Sequence, residues 1–265
     1  MERKLSCLTM LLLILLQLSC KKDKTEPAQE YTDLPIIKVE VNDIDYDGKP
    51  RLGMRTNYGY NDARQLIRRV NGGYTTVMKY ESGRLTTIDY AANGGRCDYV
   101  YDAAGKMTAA DIYDQRGTLI TAWQVTYDSK GKIATAETKT TTGQPELRVY
   151  TYNAEGILAQ IVVSDPVTKT LRSTTTLSEP SEKCFVNPWI ASDVLGISSY
   201  PFDSLVWQGA DRLPTRVKVV MHNYATEHRI LAYTIRGQQI ANVNRAWSTS
   251  LMPLSNQVSE LIFFY

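Results

Sequence analysis

The segment YDAAGKM, residues 101–107, contains a turn-forming sequence unit that decides the fold. Tyr ends one strand, Asp opens a turn through its side-chain acceptor, Gly supplies a backbone position with positive φ, and Met begins the next strand. These residue types in this order predict a tight turn between two antiparallel strands.

The same unit, Tyr-[Asp/Asn]-x-x-Gly-x-[Leu/Ile/Met], recurs along the chain. Full copies begin at Tyr101, Tyr113, Tyr127 and Tyr152, and a shortened copy, YESGRL, begins at Tyr80. The copies explain part of an unusual composition, in which 17 Tyr stand against 4 Phe and 4 Trp. We expect each Tyr ring to pack on the sheet while its hydroxyl reaches water. Repetition of one supersecondary unit predicts a string of hairpins.

The segments between the turns alternate as half-buried strands do. In residues 118–127, for example, Trp123 and Val125 lie on one face and polar residues on the other. A period of two is typical of antiparallel sheets that cover a core. We therefore predict an all-β fold, an antiparallel meander of repeated hairpins curled into an up-and-down barrel or a strongly curved sheet. Residues 35–265 form a single β domain, in which the long connection 178–201 is the expected contact loop.

The N-terminus has the features of a secretory signal. An apolar run, 8–16, follows basic residues and is shorter than the roughly 20 residues that span a bilayer. Residues 1–19, which end before Cys20, resemble the signal peptide of a bacterial lipoprotein precursor. The resemblance implies an acylated Cys20, a flexible tether over 20–34, and a membrane anchor at the outer membrane, facing the periplasm or the cell surface. The alternatives are an ordinary cleaved signal or an uncleaved anchor, with Cys20 incidental.

Two later motifs extend the resemblance. Asn187-Pro188-Trp189 and the run LPTRV at 213–217 accompany the lipoprotein signal and the Tyr-Asp hairpins. Together these features resemble a Bacteroidetes lipoprotein family with a YD-repeat-like, porin-like β domain of unknown function. The resemblance covers most of residues 35–265 and implies an all-β meander on a lipid anchor. It supplies no catalytic residue.

The charge balance and the motifs exclude several function classes. The chain has 30 basic and 28 acidic residues, which gives no clustered basic excess for nucleic acid. It has no Gly-x-Ser-x-Gly elbow and no phosphate-binding Gly-rich loop. We therefore predict a non-catalytic binding or structural module that needs no cofactor. The alternatives are a secreted polysaccharide-active hydrolase and an integral outer-membrane β-barrel.

No complete metal site is predicted. Asp43, Asp45 and Asp47 match the first half of a calcium loop, but the position of the bidentate Glu is occupied by Met. His222 and His228 are expected opposite each other across a hairpin, and two imidazoles do not complete a zinc site.

Four other residues are candidates for a structural or binding role. Cys97 and Cys184 would face an oxidising compartment, where they form one disulfide or stay as two buried, inert thiols. Trp189 and Trp247 flank expected loops, and their rings are candidate contacts for a glycan or a protein partner.

Overall fold

The computed structural model describes residues 36–44, 50–91, 94–197, 201–222 and 224–265. In this part of the chain, the predicted meander is an up-and-down β-barrel. Each strand pairs antiparallel with its neighbours in sequence, and the first strand pairs with the last to close the barrel. The all-β fold class and the curled meander are therefore confirmed.

The described residues form sixteen strands and two helices. The strands are β1 Lys38–Ile44, β2 Pro50–Tyr60, β3 Leu66–Asn71, β4 Tyr74–Glu81, β5 Arg84–Tyr90, β6 Gly95–Tyr101, β7 Met107–Tyr113, β8 Leu119–Tyr127, β9 Ile133–Thr141, β10 Leu147–Tyr152, β11 Leu158–Ser164, β12 Leu171–Pro180, β13 Pro214–Met221, β14 Ala225–Arg236, β15 Gln239–Thr249 and β16 Met252–Phe264. The helices are α1 Pro188–Leu195 and α2 Asp203–Val206.

The repeat forms the turn that its residues predict. The Asp102 N–H donates to the Lys106 carbonyl and the Gly105 N–H to the Asp102 carbonyl, both at 2.9 Å. The Asp102 carboxylate accepts a third bond from the Lys106 N–H at 2.9 Å. Gly105 has a φ of +81°, which a residue with a Cβ adopts only with strain. The turns that begin at Asp114, Asp128 and Asn153 repeat these backbone bonds.

One end of the barrel carries a row of tyrosines, and we call this end the tyrosine rim. It is the end at which the β2–β3, β4–β5, β6–β7, β8–β9, β10–β11 and β14–β15 turns lie. Its tyrosine hydroxyls were expected to reach water, but several bond to the backbone instead. Tyr101 donates to the Leu85 carbonyl at 2.7 Å, and Tyr127 donates to the Met107 carbonyl at 2.8 Å. Half-burial of the ring makes such a bond valuable, because a hydroxyl withdrawn from water needs a partner.

The described residues between β12 and β13, 181–197 and 201–213, form what we call the plug. Asn187 caps the start of α1 by accepting a bond from the Trp189 N–H at 3.0 Å. Gly196 ends α1 with a φ of +66°. Seven large apolar side chains of the plug are exposed by 2% or less, namely Ile190, Val194, Leu195, Phe202, Val206, Trp207 and Leu213. The plug is therefore a core element rather than a surface connection.

The plug lies inside the barrel, because it contacts strands on different sides of the wall. Asp193 pairs with Arg69 of β3 at 2.7 Å. The Phe202 ring meets Trp123 of β8 edge to face, with 5.6 Å between the ring centroids. Arg229 of β14 donates to the carbonyl of the residue that caps α1, at 2.6 Å. A segment that reaches β3, β8 and β14 together must cross the lumen, so the described part of the predicted connection 178–201 packs largely in the core rather than over the surface.

The outer wall carries charged residues on many strands. Ion pairs join Lys79 to Asp89 at 2.6 Å and Arg96 to Asp98 at 2.9 Å. On β14, the residues next to buried Leu231 on the opposite face of the strand are exposed, and the last exposed residue of the strand is Arg236. No helix among the described residues is both long and apolar enough to cross a membrane.

Candidate functional site

A pocket opens at the tyrosine rim, between the plug and the wall. We call it the rim pocket, and its volume is about 430 Å³. Its lining includes five aromatic residues and two arginines, namely Tyr60, Tyr80, Tyr101, Phe185, Trp189, Arg64 and Arg84. Flat apolar faces beside planar cations form a surface suited to a ring-shaped polar ligand.

Plug and wall are joined at the edge of this pocket. The Asn187 side-chain amide donates to the Tyr60 hydroxyl at 3.2 Å, while its carbonyl oxygen caps α1. One residue therefore fixes the first turn of α1 against β2 and directs the helix N-terminus toward the pocket. The predicted Asn-Pro-Trp motif is thus a joint between plug and barrel, and it positions Trp189 as a pocket wall.

The electrostatics of the rim pocket are positive. Burial raises the pKa of Tyr60 and of Tyr80 to about 12, so both hydroxyls stay protonated at neutral pH. Burial also raises the pKa of Tyr101, although the nearby Arg84 acts in the opposite direction. No carboxylate is among the described residues that line the pocket. The net charge of the lining therefore comes from Arg64 and Arg84.

Sequence reasoning missed both arginines. Arg84 was treated only as part of the shortened repeat YESGRL. Arg64 lies in YNDARQL, residues 60–66, which has the spacing of the repeat but lacks its glycine. The sequence signal for this turn is Tyr-Asn followed by Leu six residues after the Tyr. It is recognised as a copy of the repeat only when the search pattern does not require Gly at the fifth position.

Two cavities lie toward the opposite end of the barrel. One, of about 550 Å³, is mainly apolar and is lined in part by Tyr90, Ile112 and Ile120. The other, of about 340 Å³, contains two glutamates and two arginines. Arg229 pairs with Glu227 at 2.7 Å, and Arg148 forms an ion pair with Glu146. In this cavity each carboxylate is therefore already engaged by the guanidinium of an arginine two residues along the chain.

The structure separates the two predicted tryptophans. Trp189 is half-buried and lines the rim pocket. Trp247 is half-buried on β15, where it is paired with Arg229, toward the opposite end of the barrel. The two side chains are therefore not parts of one site.

Cys97 and Cys184 are both buried, and no disulfide joins them in this structure. Cys97 belongs to β6, while the Cys184 N–H in the plug donates to the Asp211 carbonyl at 2.8 Å. Burial raises the pKa of the Cys184 thiol, which disfavours its reactive thiolate. The disulfide and the two inert thiols stay alternative predictions, and thiol reactivity distinguishes them.

The remaining predicted sites are only partly described. Cys20, Asp45 and Asp47 lie outside the described residues, and Asp43 is exposed on β1. His222 and His228 are not opposite each other, because the turn follows Met221 and His228 pairs with a lysine of β13. Within the described part of the chain, no group of three or more His, Cys, Asp or Glu could hold a metal ion.

Comparison with known proteins adds a fold likeness. No family model matches the chain, and no curated protein matches its sequence. A porin-like protein from Bacteroides uniformis ATCC 8492 matches with a TM-score of 0.58 at 16% identity, covering 87% of this chain and 98% of that chain. A porin-like protein from Bacteroides vulgatus ATCC 8482 matches with a TM-score of 0.54 at 16% identity and the same two coverages. At this identity the likeness shows a shared porin-like barrel fold.

Proposed function

We propose that the protein is an outer-membrane lipoprotein, anchored through Cys20, whose barrel is a non-catalytic binding module for a glycan. The observation that carries the proposal is the plug, which fills the middle of the lumen and leaves an aromatic pocket open at the tyrosine rim. Barrels of about 16 strands without such filling enclose an aqueous channel. A pocket of about 430 Å³ falls within the range of small-ligand sites.

The charged residues on the outer wall favour a barrel that is surrounded by water rather than by lipid. A membrane-spanning barrel presents an apolar band to lipid, and one Lys or Arg at the middle of that band costs about 2–4 kcal/mol. Here Lys79, Arg96 and their acidic partners occupy the outer face of adjacent hairpins. A lipid on Cys20, joined to the barrel by residues 20–34, would then provide the membrane attachment.

The charged cavity favours binding over hydrolysis. A glycosidase needs one carboxylic acid that can give a proton and a second carboxylate on the other side of the scissile bond. Glu146 and Glu227 are each paired with an arginine, which leaves neither in the role of a free acid.

The anchor is tested by replacing Cys20. We expect Cys20→Ala protein to leave the membrane fraction on washing with alkaline carbonate, while the unmodified chain stays. If the variant also stays, the barrel itself is held in the bilayer, and the integral-barrel alternative is correct.

The binding site is tested by a glycan array with matched tryptophan variants. We expect Trp189→Ala to lose the glycans that the parent protein retains, and Trp247→Ala to retain them, because only Trp189 lines the rim pocket. Equal loss in both variants would contradict the assignment of the pocket. Turnover of a bound glycan, abolished in a Glu227→Gln variant, would establish the hydrolase instead.

A further inference from the structure

Arg64 occupies the glycine position of an unrecognised copy of the repeat. In residues 60–66, the Asn61 N–H donates to the Gln65 carbonyl at 3.1 Å and the Arg64 N–H to the Asn61 carbonyl at 2.9 Å. The Asn61 side chain accepts from the Gln65 N–H at 2.9 Å. These are the bonds that the other copies form around their glycines. Arg64 therefore adopts a φ of +58°, where Gly105 has +81°.

The turn itself gives no reason for an arginine at this position. A positive φ places the Cβ of an L-residue against its own backbone, and only glycine escapes this penalty. Nearly the same turn is made with Gly105, Gly131 and Gly156, each with a φ between +78° and +81°. Ser82, Lys169 and Glu179 also have a positive φ, so the strain alone does not assign a function. At Arg64 the strained residue also places a guanidinium-bearing side chain in the lining of the rim pocket, and this coincidence points to a function of the side chain.

The neighbouring hairpin supplies the second cation. Arg84 follows the two-residue turn Ser82-Gly83, and its guanidinium lies over the Tyr101 ring at 5.9 Å from the centroid. The Gln65 side-chain amide donates to the Gly83 carbonyl at 3.0 Å and ties the two turns together. The two guanidinium-bearing turns therefore form one rigid edge of the rim pocket.

The opposite edge of the pocket adds a third source of positive potential. α1 begins at Pro188, and its first residues line the pocket. The N-terminus of a helix carries a partial positive charge and favours an anion nearby. Trp189 beside it offers an aromatic face, on which a sugar ring packs through its C–H groups.

We propose that the rim pocket binds a sugar that carries an anionic group, with Arg64 and Arg84 holding the anion and Trp189 packing against the ring. The proposal rests on the binding function proposed above and names its ligand class. Arginine is suited to this role because its planar fork pairs with carboxylate, phosphate or sulfate through two hydrogen bonds. The strained backbone at Arg64 then lowers the stability of the fold, and the arginine is kept because it binds the anionic group of the ligand.

The proposal is tested by calorimetric titration of the purified protein with paired sugars. The pairs are glucuronic acid, a glucose phosphate and a sulfated N-acetylglucosamine, each beside its neutral parent, with inorganic phosphate as the anion alone. We expect at least one anionic sugar to bind about tenfold more tightly than its parent, the effect of one charge-assisted hydrogen bond. Inorganic phosphate should bind more weakly than that sugar, because it lacks the ring.

Substitution of Arg64 separates recognition from folding. We expect Arg64→Gly to lose the preference for the anionic sugar and to raise the melting temperature by about 2 °C through relief of strain. Arg64→Ala should lose the preference without this rise, since Ala keeps the strained φ. Arg116→Ala, which removes an exposed arginine at the opposite end of the barrel, should change neither measurement.

Each other outcome overturns a defined part of the proposal. Equal binding of neutral and anionic sugars, or equal binding of inorganic phosphate, would reject the ligand class and leave the glycan-binding function standing. Retention of the preference in Arg64→Gly, or a melting temperature that does not rise, would reject the role of Arg64. Failure of every sugar to bind, on the glycan array as well, would reject both the ligand class and the binding function.

Discussion

Replacement of Trp207 by Ala tests whether the plug is part of the barrel core. Trp207 has no exposed surface, and its indole N–H donates to the Ser192 hydroxyl at 3.1 Å. Ser192 lies in α1 and is itself 4% exposed. The indole therefore joins the two helical parts of the plug within a region closed to water.

The magnitude follows from these contacts. Truncation of a buried Trp to Ala costs about 3–5 kcal/mol, including the cavity that is left. Loss of a buried hydrogen bond adds about 1 kcal/mol. We expect Trp207→Ala to lower the free energy of unfolding by about 5 kcal/mol, and Trp207→Phe, which keeps much of the ring, by about 2 kcal/mol.

Urea unfolding followed by circular dichroism measures this loss. Trp247→Ala is the matched control, because Trp247 is only half-buried, and its truncation should cost about 1 kcal/mol. We expect a single transition with an unchanged denaturant slope in each variant, since plug and wall unfold together. A loss below about 1 kcal/mol in Trp207→Ala, or a separate early transition, would show that the plug is a detachable loop.

Three further predictions concern the tyrosines and the thiols. Tyr127→Phe should destabilise the fold by about 1 kcal/mol, because the Tyr127 hydroxyl donates to a backbone carbonyl. Tyr152→Phe should leave the free energy of unfolding unchanged, since the buried Tyr152 hydroxyl has no hydrogen-bond partner. Urea unfolding of the two variants measures the difference. Burial raises the pKa of Tyr80 and Tyr127 to about 12, so the folded state holds these protons more tightly than the unfolded state. The resulting stabilisation is complete below about pH 10 and is lost as the pH rises toward 12. The absorbance of tyrosinate should therefore rise only at high pH, together with unfolding. In a variant without other cysteines and without added reductant, Cys97 and Cys184 should react with a thiol reagent only after the protein is unfolded in urea. If both residues stay unreactive in urea, they form a disulfide.

The hairpins could be predicted because their chemistry is local. Tyr101, Asp102 and Gly105 each satisfy a backbone or packing requirement within one turn, so the composition of a short window is enough. Closure of the barrel could be expected only in general terms. It depends on the pairing of Val41 with Leu261, which no local pattern encodes.

The plug and the rim pocket could not be predicted in the same way. Ile190, Phe202 and Trp207 are spaced irregularly among prolines and glycines, a pattern typical of surface connections. Only the space inside a sixteen-stranded wall makes these side chains core residues. Trp189 could be predicted from its aromatic ring, whereas Arg64 lies in a copy of the repeat that is recognised only when Gly is not required.

The closed wall also has a consequence for folding kinetics. The plug follows β12, while β16, which completes the wall by pairing with β1, is the last strand of the chain. The seam between β1 and β16 joins residues from opposite ends of the sequence, and contacts this distant form slowly. We expect the local hairpins to form early and the seam between β1 and β16 to form late, an order that φ-values at Trp207 and Leu261 would measure. Weakening the seam would then speed unfolding more than it slows folding.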